Sequence, residues 1–157
     1  MFSIRHAIVS TGIAVVLAVV AVSPAFATDT KTISAVKNCS TWRVTATCVI
    51  TASDPLKSLI GSVITYGGGP GPHQFDLFGV GTDVELVTAQ GQGSAPGFCR
   101  LNAAIGVGHC TFSNGTGRLN TFTADLVVTN VGSGNWTLSG TYSFGLGQEG
   151  NGHNDEN

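Results

Sequence analysis

The sequence predicts an all-β fold: a two-sheet antiparallel β-sandwich held by two disulfides. Three observations point there. The chain is rich in Thr, Ser, Gly, Asn and Val and poor in Leu, Glu and Lys, a composition of strand and turn formers. Several segments alternate apolar and polar residues with period two, as strands do when one face meets a core and the other water. Four cysteines, Cys39, Cys48, Cys99 and Cys110, form an even set in a chain that begins like an exported protein.

That beginning is the first element. A short basic start at Arg5 and His6, an apolar run from Ile13 to Val22 and the small-x-small triplet Ala25-Phe26-Ala27 read as a secretory signal peptide over residues 1–27. The apolar run is shorter than the roughly 20 residues a membrane-spanning helix needs. Localisation is therefore expected to be secreted and extracellular, without membrane insertion after signal removal. Removing 27 of the 157 residues leaves 130, enough for one domain with a real core. The domain is expected over residues 28–146, followed by a disordered polar tail at 147–157 that contains no apolar residue.

Within the domain the clearest strands are three. Trp42, Val44, Ala46, Cys48 and Ile50 alternate with Arg43, Thr45, Thr47, Val49 and Thr51; similar patterns run from Phe122 to Thr129 and from Trp136 to Phe144. Further strands are expected near 31–37, 57–66, 74–79, 82–89, 98–102 and 107–113. Turn signals separate them at Ser53-Asp54-Pro55, Gly67–Pro72, Gly91–Gly97, Asn114-Gly115 and Val131–Gly134. The Gly-Ser step in the last of these is suited to a tight hairpin pairing 120–130 with 135–144. Short strands at this spacing, without helical periodicity, suggest a sandwich first and a closed barrel second.

The cysteines admit three pairings. With Ala103–Gly106 as a turn, Asn102 faces Val107, Leu101 faces Gly108 and Cys99 faces Cys110, close enough to bridge. Cys39 would then join Cys48. A strand from Trp42 to Cys48 conflicts with that bridge: it spans about 20 Å at roughly 3.3 Å per residue, whereas bridged Cα atoms lie within about 7 Å. The conflict is resolved if the strand proper begins near Thr45 with Trp42 at the reversal. A Cys48–Cys110 linkage would instead restore the long strand. A zinc site is disfavoured, because the spacings of nine and eleven residues are unlike the C-x2–4-C pairs that seat one ion.

The architecture expected is immunoglobulin-like without the immunoglobulin signature. No Trp lies between Cys48 and Trp136, and Gly108 stands where that family places a tyrosine before its second cysteine. Two short-range bridges on an exported sandwich resemble, in architecture, the neocarzinostatin-type chromophore carriers.

Chemistry-bearing motifs are sparse. The exported chain has six basic and nine acidic side chains, a net charge of −3, and the basic residues are scattered singly, which argues against a nucleic-acid partner. Gly91–Gly97 has the wrong offsets for a nucleophile elbow. Asp83 and Glu85 share one strand face, which reads as a wet face rather than a glycosidase pair. Gly145–Gly150 matches G-x-G-x-x-G without the helix that motif needs. His73, His109 and His153 have no triad signature around them, and an enzyme would have to bring one of the first two to Asp76, Asp83, Glu85 or Asp125 in a cleft. No metal or cofactor is expected.

Trp42, Trp136, Tyr142 and Phe144 lie on the apolar sides of their strands and are expected in the core rather than as a ligand platform. Tyr66, Phe75 and Phe78 flank the glycine-rich loop that includes Gly68, where there is less reason for burial; with Trp42 they form the candidate binding surface. The expectation is a secreted, non-catalytic binding module with an unidentified protein, cell-surface or small-molecule partner. A carrier of a small apolar ligand and a protease inhibitor are the alternatives. A carrier requires a sizeable apolar cavity; an inhibitor requires a convex, bridge-supported loop.

Overall fold

A computed structural model describes residues 29–39, 46–67, 76, 79–102 and 104–145. The expected signal peptide and polar tail, Trp42, Gly68, His73, Phe75, Phe78 and His153 lie outside the described residues.

The described strands are β1 (Lys31–Cys39), β2 (Ala46–Asp54), β3 (Val63–Tyr66), β4 (Thr82–Val87), β5 (Ser94–Asn102), β6 (Val107–Phe112), β7 (Phe122–Gly132) and β8 (Asn135–Phe144). Each pairs antiparallel with its neighbours in the chain, and β8 also pairs with β1, from Lys31 opposite Tyr142 to Asn38 opposite Asn135. The sheet therefore closes on itself. The all-β class and both disulfides hold, but the expected two-sheet sandwich is corrected to a closed eight-stranded barrel. Period-two burial could not separate the two, because a sandwich and a small barrel hide the same alternate residues. The difference lies in the β1–β8 ladder, which joins the two ends of the domain.

Local chemistry explains most of the strand boundaries. The β7–β8 hairpin turns on Ser133 and Gly134, both at positive φ (53° and 76°), the handedness that matches strand twist across a two-residue loop. The expected strand at 57–66 is shortened to β3, and Lys57–Leu59 instead forms a single 3-10 turn. Proline at 55 breaks the ladder, and the turn drives Leu59 into the barrel. In contrast, β5 starts at Ser94, inside what reads as a glycine-proline turn. A Cβ on Gly97 would lie 2.2 Å from the Thr111 carbonyl oxygen and 2.7 Å from the Phe112 ring, so this glycine admits the close approach of β6. The strand expected near 74–79 is not seen at Asp76 and Gly79; there the Asp76 carbonyl accepts from the Gly79 and Gly81 amides in a turn.

The inward positions are mostly apolar, including Ile33, Ala35, Ile50, Ile64, Val84, Leu86, Leu126 and Leu138. An eight-stranded barrel is just wide enough for such side chains to fill. The remaining cavity is about 20 Å³, walled by residues such as Ile33, Leu59, Phe112 and Leu126. Outward positions of β7, β8, β1 and β2 are largely Thr, Ser and Val, such as Thr123, Ser143, Thr141, Ser139, Ser34 and Thr47. This arrangement is the reverse of a transmembrane barrel, whose apolar side faces outward. No described helix is long and apolar enough to cross a membrane.

The two ends of the barrel differ. At the base, where β1 begins and β8 ends, Leu59 and Leu119 enter from the two 3-10 turns, and the rings of Phe122, Tyr142 and Phe144 cluster with centroids 5.3–6.4 Å apart. The opposite end carries the β1–β2, β3–β4, β5–β6 and β7–β8 connections and is called the loop end below.

The loop end as candidate functional site

Both disulfides staple hairpins that point to the loop end. Cys39 pairs with Cys48 across β1 and β2, and Cys99 with Cys110 across β5 and β6, with Cα separations of 4.0 and 4.2 Å. The β5–β6 register is the one the spacing predicts, with Asn102 opposite Val107 and Leu101 opposite Gly108. In the order of strands around the barrel the two stapled hairpins lie opposite one another. Among the described residues β2 begins at Ala46; Trp42 to Thr45 lie outside them.

Under this end lies a polar group that charge counting missed. Ile33, Ala35, Lys37 and Cys39 share the inward face of β1, and Lys37 is 1% exposed. A register shift in the β1–β2 ladder falls between Val36 and Lys37, placing the lysine opposite Ile50, while the ladder to β8 runs unbroken with Lys37 opposite Trp136. Lys37 Nζ donates a hydrogen bond to Tyr66 Oη and sits 4.5 Å from the Tyr66 ring centroid and 6.0 Å from that of Trp136. Burial in this apolar interior penalises the ammonium and pushes the amine down to about 7. The same burial pushes the Tyr66 phenol above its usual range. The signal was available in the sequence: Lys37 occupies an inward parity position between Ala35 and Cys39.

The expected aromatics are split by the fold. Trp136 and Tyr142 are buried as expected, and Phe144 packs partly buried against the core. Tyr66, expected beside a loop with little reason for burial, is 1% exposed, because it keeps the inward parity of Ile64 at the end of β3. Of the candidate binding surface, Tyr66 is thus in the barrel interior, while Trp42, Gly68, Phe75 and Phe78 fall outside the described residues.

Asp83 and Glu85 do share the outward face opposite Val84 and Leu86, but Asp83 is buried beside its cross-strand neighbour Phe98 rather than wet. His109 Nε2 lies 2.5 Å from Asp125 Oδ1 across β6 and β7, with side chains 54% and 64% exposed. This pair has the proximity an enzyme reading requires, and both residues stand on the outer wall of the barrel. Near it, a groove of about 570 Å³ follows the β5–β6 tip, lined by Arg100, Asn102, Ala104, Val107 and His109 among others. Among the described residues, no group of three or more His, Cys, Asp or Glu side chains is placed to hold a metal ion.

Comparison with protein-family models, with curated proteins and with solved structures found no match to this chain. The fold and site define the class directly: a disulfide-stapled, up-and-down antiparallel barrel with a filled interior, a plugged base, and a buried lysine–tyrosine–tryptophan cluster beneath its loop end.

Proposed function

We propose that the chain is an exported, non-catalytic binding module that uses the loop end to engage a protein or cell-surface partner. The observation that carries this reading is the placement of both staples: each disulfide closes a hairpin whose tip lies at the same end. A preorganised loop loses less conformational entropy on docking, so stapling this end lowers the cost of binding there. The two bridges are also compatible with an oxidising, extracellular setting.

The filled interior weighs against the carrier alternative. A cavity of about 20 Å³ holds about one water, far below the roughly 300 Å³ at which ligand pockets begin. The Cys39–Cys48 hairpin keeps the inhibitor alternative open as a special case of loop-end docking.

The test is co-sedimentation of the labelled, oxidised protein with envelopes of the cells that produce it, using variants at both ends. Arg100→Glu and Asn102→Lys at the loop end should weaken binding roughly tenfold or more, as central contacts do. Lys57→Glu and Arg118→Glu at the base should leave it unchanged. Equal loss from both ends, or loss from the base alone, refutes the proposal.

A further inference from the structure

Among the described residues, the three most exposed large apolar side chains are Val80 (68%), Ile105 (67%) and Val131 (58%), and each stands on a different loop-end connection, β3–β4, β5–β6 or β7–β8. These connections follow one another around the barrel rim. Each tip is fixed by a side chain that binds nearby backbone. The Val80 amide donates to Asp76 Oδ2 at 3.2 Å, the Ala104 amide to Asn102 Oδ1 at 3.0 Å and the Gly132 amide to Asn130 Oδ1 at 2.7 Å. Val131 is the unpaired residue of a bulge, since Asn130 faces Trp136 and Gly132 faces Asn135. The Asn130 amide also donates to the Gly106 carbonyl oxygen at 2.8 Å, which clasps the Ile105 and Val131 tips together. Ordered backbone thus holds aliphatic side chains out in water, where folding gains nothing from them.

We propose that the loop end docks onto an anionic phospholipid bilayer, with Val80, Ile105 and Val131 reaching the boundary between headgroups and acyl chains and Arg100 meeting a headgroup phosphate. This inference rests on the loop-end reading and deepens it by naming the surface engaged. The contact is peripheral: side chains enter the interface and no segment crosses it. Three aliphatic points on separate tips suit a fluid surface, which meets each of them independently. A protein partner would have to offer three matched pockets, and protein interfaces concentrate their binding energy in aromatic and Arg side chains at one packed centre.

The position of Arg100 supplies the charge complement. A headgroup layer is roughly 5–7 Å thick on each side of the hydrocarbon core. Arg100 lies two residues before Asn102, where β5 ends, a step of about 7 Å at roughly 3.3 Å per residue. With Ile105 at the acyl boundary, Arg100 therefore falls near phosphate depth. Its side chain lines the groove beside the β5–β6 tip together with Asn102 and Ala104, while His109, its cross-strand partner, is engaged by Asp125. Among the described residues no carboxylate is ion-paired with Arg100, so its guanidinium is open to a phosphate.

The experiment is co-sedimentation of the disulfide-intact chain, residues 28–157, with sucrose-loaded phosphatidylcholine vesicles that contain or lack phosphatidylglycerol. Removing residues 1–27 takes away an apolar run that would itself bind lipid, and every described strand lies beyond it. The chain should bind the phosphatidylglycerol vesicles. Ile105→Asp and Val131→Asp should each lower that binding roughly tenfold or more, as expected for withdrawing an aliphatic side chain from an apolar medium. Ile60→Asp, at an exposed apolar position of the base, should leave it unchanged. Arg100→Gln should lower it roughly fivefold and leave binding to phosphatidylcholine alone unchanged. Substitutions at such exposed positions leave the fold intact, which circular dichroism checks. The proposal is overturned if the chain does not bind the vesicles, if Ile60→Asp weakens binding as much as Ile105→Asp, or if Arg100→Gln acts equally with and without phosphatidylglycerol. Loop-end binding to cell envelopes without binding to vesicles would assign the partner to protein, overturning this inference and leaving the loop-end reading intact. Envelope binding indifferent to the loop end would remove both.

Discussion

Replacing Lys37 by methionine should reverse the sign of its effect on stability between acid and alkaline solution. The amine falls from its usual 10.5 to about 7 on folding, because burial disfavours its charged form. Below pH 7 the folded chain must hold a buried ammonium; between pH 7 and 10.5 folding releases the proton; above 10.5 the amine is neutral in both states and the penalty is gone. Wild-type stability therefore rises with pH across this window. At about 1.4 kcal/mol for each factor of ten in proton affinity, the full penalty at acid pH is about 5 kcal/mol, an upper value because the Tyr66 and Trp136 rings partly stabilise the cation. Among the described residues the titratable group facing the amine is Tyr66, whose raised phenol acts in the other direction: above about pH 10 the unfolded phenol ionises while the buried one resists, and stability declines. Methionine removes the acid-side penalty but also removes the Lys37–Tyr66 hydrogen bond, at a cost of about 0.5–1.5 kcal/mol. Lys37→Met should thus be about 3–4 kcal/mol more stable than wild type at pH 6 and about 0.5–1.5 kcal/mol less stable at pH 11. Urea unfolding followed by tryptophan fluorescence, with the disulfides intact, measures both values. A variant equally destabilised at every pH would falsify the assignment of a desolvated amine.

Three further predictions concern the frame. The paired change Cys99→Ala with Cys110→Ala should cost about 3 kcal/mol, as expected for a closed loop of this length, and should do so without lowering β-structure in circular dichroism at moderate temperature; a loss below about 0.5 kcal/mol would show that the β5–β6 hairpin needs no staple. Gly97→Ala should destabilise the barrel by about 1–3 kcal/mol in the same urea titration, because its Cβ would meet the Thr111 carbonyl and the Phe112 ring, and a neutral result would contradict the close approach of β5 and β6. Leu119→Ala, which withdraws the plug at the base, should cost about 2–4 kcal/mol, and hydrogen exchange should show faster opening at the base than at the stapled end.

Much of this molecule was legible in its sequence, and the limits of that reading are physical. Strand identity is a local property: alternation along β2, β7 and β8 follows from side chains that point to opposite faces, and it is visible within a few residues. The Cys99–Cys110 register was equally local, since a four-residue turn fixes every pair that follows it. Cys39–Cys48 followed by elimination once Cys99 faced Cys110, and reach then required the strand to begin near Thr45. At Gly97 the reading failed: this glycine marks a close strand approach rather than a turn, which depends on the neighbour that approaches it.

The sequence by itself determined an all-β domain of alternating strands and favoured short-range staples while leaving a Cys48–Cys110 linkage open. Only the tertiary structure decided that the sheet closes, because closure requires the twist and stagger of successive strands to bring β8 alongside β1, and no local pattern records that sum. Closure in turn decided the fate of Lys37. On the open face of a sheet its ammonium could reach water; inside a ring of apolar side chains it is confined with Tyr66 and Trp136, and the same residue becomes a neutral amine near physiological pH.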